Sequence, residues 1–136
     1  MGPLRFQWLP IGSGHAPLLK IGVKRGGKVA GTDLVVMVDT GADETLLHIH
    51  WAGLMGFRPD QLKEESSKSA SGTMTVYRPG TCRGIEFQIG ESWFAVPSVR
   101  FAKKVPISLL GRDMIFAHFN LWMTGTLFDL YPRGSV

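Results

Sequence analysis

Apolar and polar positions alternate along several short segments of the chain, which is typical of half-buried β-strands. Leu19, Ile21 and Val23 alternate with polar or small residues, and residues 85–89 repeat the pattern. Residues 25–28 contain two consecutive glycines and predict a hairpin turn after the first of these strands. The pattern therefore favours an all-β fold made of short strands.

Two longer apolar runs predict strands in the interior, and one segment predicts a helix. Residues 29–38 become apolar on both faces towards their end, and residues 105–111 form an apolar run that ends in glycine. Residues 112–119 have helical spacing, because Ile115 and Phe119 lie four positions apart. We expect this to be the only helix of the chain.

The remaining segments are polar or irregular. Residues 48–57 show no clear period. Residues 61–72 are rich in serine and charge, and we interpret them as a mobile connection into a hairpin with its tip near residues 69–73. Residues 124–125 separate two short apolar segments and predict a final hairpin.

Composition and length are those of one folded domain, 1–136. The hydrophobic fraction is 44% and the charged fraction 19%, so the chain is not of the disordered type. Residues 1–16, rich in Gly and Pro, predict an arm or edge segment, and residues 133–136 a tag-like or disordered tail. No apolar run approaches the roughly 20 residues of a membrane-spanning helix.

Charge and cysteine content indicate little about partners or compartment. The formal net charge is +4 and the sequence pI is about 9.5. No run of Lys or Arg exceeds two residues, so we expect no nucleic-acid binding. A basic β-domain that binds nucleic acid is still a distant alternative. Cys82 is the only cysteine, which excludes an intrachain disulfide.

Asp39, Thr40 and Gly41 directly follow the buried run and are the main candidates for chemistry. Two such loops facing each other would hold two aspartates close enough to share one proton and activate a water between them. Thr40 would bond the opposite loop, and Gly41 would let its backbone approach the carboxylate closely. The alternative is an ordinary turn, because all three residue types favour turns.

Residues 39–43, continued by residues 44–47, resemble the active-site segment of retropepsins, the retroviral-type branch of the aspartic proteases. The resemblance implies a small, closed, barrel-like β domain with one short helix near the C-terminus. Retropepsins supply one Asp-Thr-Gly per subunit, so it also implies a homodimer with Asp39 from each chain. No metal or organic cofactor is implied, and the substrate would be an extended polypeptide.

A second segment, residues 109–113, resembles the apolar-apolar-Gly-Arg-Asn/Asp segment near the end of retropepsins. In that family the arginine pairs with the second acid of the active-site motif, which implies Arg112 with Asp43. We expect this pair to fix the active-site loop. Arg112→Ala should therefore weaken folding and activity, at the cost of about 3–5 kcal/mol that truncating one partner of a buried ion pair carries. The resemblance also implies the substrate-binding residues Ala42, Asp43, Leu46, Ser71, Gly72, Thr73, Ile107 and Leu109.

The sequence departs from the retroviral pattern at three places. The expected flap hairpin has one glycine near its tip, Ala16 replaces an arginine that contacts the partner subunit, and residues 119–131 exceed one interface strand. We therefore expect a differently built, weaker dimer. Leu46, Ile107 and Leu109 could also be ordinary core residues.

Two further interpretations stay open. The retropepsin-like fold could serve as a dimerisation or peptide-binding module with little proteolytic activity, since Asp39 alone does not ensure a closed dimer. His48 and His50, two positions apart, could share a metal ion, but no third ligand has matching spacing. We therefore expect no metal site.

Overall fold

The computed structural model describes residues 2–69 and 72–134. Strands dominate this part of the chain, as the alternating pattern predicts. The strands are β1 Leu4–Gln7, β2 Leu9–Ile11, β3 Gly14–Ala16, β4 Leu18–Arg25, β5 Lys28–Val29, β6 Leu34–Val38, β7 Leu46–His48, β8 Leu62–Ser69, β9 Gly72–Pro79, β10 Ile85–Ile89, β11 Ser92–Ala95, β12 Arg100–Ala102, β13 Ser108–Leu110, β14 Phe119–Met123 and β15 Leu127–Pro132.

Within residues 2–69 and 72–134, two α-helices interrupt the strands, where the sequence predicts one. The predicted helix is α2, Arg112–His118, and it ends where Phe119 begins β14. The other is α1, His50–Leu54, inside the stretch without a clear period, so the expectation of a single helix is wrong. Trp51 and Ala52 are buried by α1, which shows that tertiary packing forms this five-residue helix. Within the described residues no helix is long and apolar enough to cross a membrane.

The main sheet runs in the order β11-β10-β4-β6-β13-β7-β12-β9-β8, and β5 adds to β4. Its two outer strands, β11 and β8, do not pair with each other among the described residues. The mostly-β prediction is therefore confirmed, whereas closure into a barrel is not. Neighbouring strands β6 and β13 are parallel, which brings the two sequence motifs to the same edge.

The core lies on the inner face of this sheet. Leu19, Ile21 and Val23 of β4 are buried, and so are all the odd-numbered positions of β10. The first hairpin turns through Gly26 and Gly27, both with positive φ, as the sequence predicts. The second predicted strand is shorter than expected, because β5 and β6 are separate strands.

Residues 62–69 form strand β8, although their polar sequence predicts a mobile connection. β8 pairs along its full length with β9, from Leu62 opposite Pro79 to Ser69 opposite Gly72. No residue of β8 from 62 to 68 is buried, so hydrophobic alternation could not reveal it. Backbone pairing to β9 supplies the hydrogen bonds that a lone polar strand would lack.

The chain termini form a separate three-stranded sheet, β1-β15-β14. The guanidinium of Arg5 donates two hydrogen bonds of 2.8 Å to the Asp129 carboxylate on the neighbouring strand. These bonds hold the pKa of Asp129 below its usual range. The predicted final hairpin is present as β14 and β15, and Trp122 on the edge strand β14 is exposed.

Candidate active site

Asp39 lies at the first position after β6, where the strand leaves the sheet. Its backbone N–H donates to the Leu110 carbonyl of β13 at 3.0 Å, which continues the parallel pairing into the loop. The Gly41 N–H donates to Asp39 Oδ1 at 2.9 Å. A Cβ at Gly41 would lie 3.1 Å from that same oxygen, so glycine suits the close approach. The Asp39 carboxylate is held half-buried and Thr40 beside it is exposed.

Gly111 locks the end of β13 against the active-site loop. A Cβ on Gly111 would lie 2.5 Å from the Glu44 carbonyl carbon and 2.8 Å from the Thr45 nitrogen. The Gly111 φ of −89° is ordinary, so space rather than backbone conformation requires glycine here. The backbone N–H of Arg112 then donates to the Ala42 carbonyl at 2.9 Å. The two sequence motifs therefore meet as one packed unit.

The Asp113 carboxylate supports the active-site loop by accepting three hydrogen bonds from Thr45 and Ser98. Thr45, which is fully buried, donates to Asp113 Oδ1 at 2.8 Å through its hydroxyl and at 3.0 Å through its backbone N–H. Ser98 donates to Oδ2 at 2.6 Å. The Thr45 hydroxyl also accepts the Gly111 N–H at 3.1 Å. These hydrogen bonds fasten Thr45, which follows the active-site loop, to Gly111 and Asp113 at the start of α2.

Arg112 forms an ion pair with Asp43, the pairing that the resemblance implies. The two side chains are 50% and 79% exposed in the single chain, so the pair is not buried. Exposed pairs contribute about 0–1 kcal/mol. The cost of about 3–5 kcal/mol expected for Arg112→Ala is therefore wrong for the isolated subunit. The hydrogen bonds of Asp113 to Thr45 and Ser98 also support the loop.

A cleft of about 540 Å³ opens beside Asp39. The structure brings Gly41, Ala42, Asp43, Leu46 and Leu109 together around it, five of the residues expected from the sequence. Leu46 also packs with Val76 and Ala102 in a small apolar cluster under this cleft. The strands of the β8–β9 hairpin complete the wall through Ser67, Lys68 and Met74.

Other predicted site residues lie elsewhere. Ile107 is half-buried and is not among the residues that line the cleft. Thr73 lines a neighbouring depression. Gly72 opens β9 and is exposed. Ser71 lies outside the described residues, so its predicted role stays a prediction.

Ionic contacts connect the β8–β9 hairpin to the active-site loop. Arg78 of β9 donates to both carboxylate oxygens of Glu44, at 2.8 and 3.0 Å, and to Glu65 at 3.2 Å. Arg100 of β12 donates to the Ser67 hydroxyl at 2.8 Å. The Arg78 hydrogen bonds, opposed in part by burial, lower the pKa of Glu44. The hairpin is therefore tied to the residue that follows the Asp39 loop.

The sequence model of the aspartyl protease family matches residues 26–114, which include both motifs. The chain belongs to the aspartyl protease family. Its fold is also that of a solved relative, a retropepsin-like aspartic protease from Rickettsia conorii, with a TM-score of 0.65 and 20% sequence identity. That superposition covers 93% of this chain and 98% of the other. No curated protein matches the chain at the sequence level.

We expect the Glu44–Arg78 contact of this family member to stabilise the fold only above acidic pH. A carboxylate whose pKa is lower in the folded state than in the unfolded state stabilises the fold fully at pH values above the unfolded-state pKa, near 4.5. This stabilisation is lost as the pH falls through the folded-state pKa. Arg78→Ala should cost about 1–2 kcal/mol at pH 7, since both side chains are about one-third exposed. The deficit should shrink below about pH 4.

Urea unfolding of both proteins at several pH values measures this difference. Arg58→Ala is the matched control, because Arg58 and Asp60 form a pair with side chains 71% and 74% exposed. The control should unfold like the wild type at every pH. A deficit for Arg78→Ala that stays constant from pH 7 to pH 3 would contradict the assignment.

The sequence alone does not identify Arg78, Arg100 and Asp113 as residues that support the site. Arg78 and Arg100 are scattered singly along the chain, and only the strand order brings them to Glu44. Asp113 did carry a signal, its position directly after Arg112 in the second motif. Its contact with Thr45, 68 residues away, had none.

The two candidate metal ligands lie apart from the cleft. His48 Nδ1 accepts the backbone N–H of His50 at 3.1 Å, a local turn contact. Throughout residues 2–69 and 72–134, no three His, Cys, Asp or Glu side chains are grouped as a metal site.

Proposed function

We propose that the chain is an aspartic endopeptidase that acts as a homodimer, with Asp39 of each subunit in one shared site. The observation that carries the proposal is the position of Asp39, fixed by Leu110 and Gly41 at the mouth of a cleft. A family member with one such carboxylate per chain requires a second chain to assemble a pair.

The pair would work by sharing a proton. Two neighbouring carboxyl groups resist double ionisation, so one stays protonated across a broad acidic range. The ionised group takes a proton from a bound water as the water attacks the peptide carbonyl carbon. The protonated group donates to the carbonyl oxygen. The tetrahedral intermediate then collapses as its C–N bond breaks: the newly protonated carboxyl group gives its proton to the leaving nitrogen, and the other takes a proton from a hydroxyl. The products are a carboxyl group and an amino group, and the dyad again shares one proton.

The assembly would place a two-fold axis between the two Asp39 residues, because identical surfaces must meet in an isologous interface. The exposure of Thr40 supports this placement, since its hydroxyl is available to the facing loop. In the single chain β1 pairs with β15, and β14 is the outer strand on the other side of this sheet. The exposed edge at Trp122 is the natural place for outer interface contacts.

The substrate would be an extended polypeptide lying between the Asp39 loop and the β8–β9 hairpin. Leu46, Leu109 and Met74 provide apolar contact on both sides of the cleft. An extended chain fits because the walls are strands whose side chains alternate. We therefore expect apolar residues next to the bond that is cleaved.

Cleavage of an unfolded protein substrate, measured from pH 3 to pH 8, tests the proposal. The dyad requires one retained proton, so we expect an optimum below pH 7 and no loss of activity with a metal chelator. Activity that is abolished by chelation and restored by a metal ion would contradict the mechanism. Peptide binding without cleavage at any pH would instead identify a binding module.

A further inference from the structure

The acidic and basic side chains that line the cleft differ in whether they already have ion-pair partners. Three acids line it, Asp39, Asp43 and Glu44, and three cations, Lys68, Arg100 and Lys104. Two of the acids already have partners outside the cleft wall, as Arg112 pairs with Asp43 and Arg78 holds both oxygens of Glu44.

Among the described residues, the two lysines lack an acidic partner, and Arg100 shares its acid, Glu44, with Arg78. Neither Lys68 nor Lys104 forms an ion pair with any described residue. Arg100 donates to a neutral hydroxyl, and its Nε, which is buried without a hydrogen bond, lies 3.9 Å from a Glu44 oxygen. Lys104 also lines the neighbouring depression under β9, together with Lys103, so positive charge continues outwards from the cleft.

Binding a polypeptide in the cleft would carry a desolvation cost at these cations. An extended segment in the cleft removes water from the ammonium groups, and a cation that loses water without gaining an anion is unfavourable. A carboxylate on the polypeptide would remove that cost and attract the cations from a distance. Apolar residues of the polypeptide or of the cleft wall cannot offset this cost.

We propose that the cleft contains a carboxylate-binding subsite formed by Lys68, Arg100 and Lys104, and that it selects polypeptides with an Asp or Glu side chain close to the bound segment's centre. The proposal rests on the proposed function for the location of the bound segment. It adds an acidic position to the apolar residues expected beside the cleaved bond.

The test uses peptide pairs that differ only by Glu or Gln at one position, scanned over the four positions on each side of the cleaved bond. At one or more positions the Glu peptide should have a kcat/KM about three- to tenfold higher than its Gln partner, the range expected for one or two half-exposed ion pairs. The Glu/Gln ratio should fall towards one in a Lys68→Met, Lys104→Met double variant and at raised ionic strength. Lys20→Met, an exposed lysine of β4 outside the cleft, should keep the wild-type ratio.

Binding of the same peptides to Asp39→Asn protein, at concentrations where it is dimeric, separates this proposal from the proposed function. Tighter binding of a Glu peptide without cleavage by the wild type would support the subsite and overturn the endopeptidase. Cleavage with a Glu/Gln ratio at or below one at every position would overturn the subsite and leave the endopeptidase standing. Absence of binding for every peptide, or an unchanged ratio in the double variant, would also overturn the subsite.

Discussion

Asp39→Asn should lower kcat/KM for polypeptide cleavage by about 10⁴-fold, because it removes both proton-transfer roles of the dyad. The amide has nearly the same shape as the carboxylate, and its oxygen can still accept the Gly41 N–H that positions the loop. The melting temperature should therefore stay close to that of the wild type. Initial rates on a quenched fluorescent peptide, with thermal unfolding recorded in parallel, measure both quantities.

Asp33→Asn is the matched control for this substitution. Asp33 is an exposed carboxylate just before β6, six residues from Asp39, and it does not line the cleft. Its replacement makes the same change in charge and should leave kcat/KM unaltered. Activity retained by Asp39→Asn, or lost equally in both variants, would show that Asp39 does not carry the reaction.

Gly111→Ala should lower the free energy of unfolding by about 3 kcal/mol or more and greatly reduce activity. The added Cβ would meet the Glu44 carbonyl oxygen at 2.7 Å and the Thr45 nitrogen at 2.8 Å. Both are backbone atoms of the active-site loop, so no side chain can turn aside to make room. The loop would have to shift away from β13 and take Asp39 with it.

Gly53→Ala separates this steric effect from a general cost of replacing glycine. Nothing lies within 4 Å of a Cβ at Gly53, and the residue sits inside helix α1. Alanine there should be neutral or stabilising by up to about 1 kcal/mol. Urea unfolding of the two variants gives the comparison. Equal stability of both would contradict the close packing of Gly111 on the loop.

The sequence predicts the parts of this molecule that local pattern encodes. The apolar run before Asp39 is β6, and the alternating positions around Phe87 are β10. Each of these segments buries apolar side chains with the period of a strand, so its secondary structure can be predicted from its own residues. The two motifs meet as expected because β6 and β13 are parallel neighbours.

The parts that the sequence did not predict depend on long-range contacts. Strand β8 is polar after Leu62 and exists because β9 pairs with it, and helix α1 is too short to show a period. The same holds for the site. The cations Lys68, Arg100 and Lys104 meet at one cleft only through the strand order. Ile107 does not line the cleft, although Val105, Pro106 and Leu109 do.

The specific activity over a dilution series measures whether two chains share one site, with the oligomeric state followed in the same samples by sedimentation. Activity per chain should fall with the dimer fraction, and the monomer should be inactive, because one Asp39 cannot form a dyad. Activity per chain that stays constant well below the dimer dissociation constant would contradict a shared site.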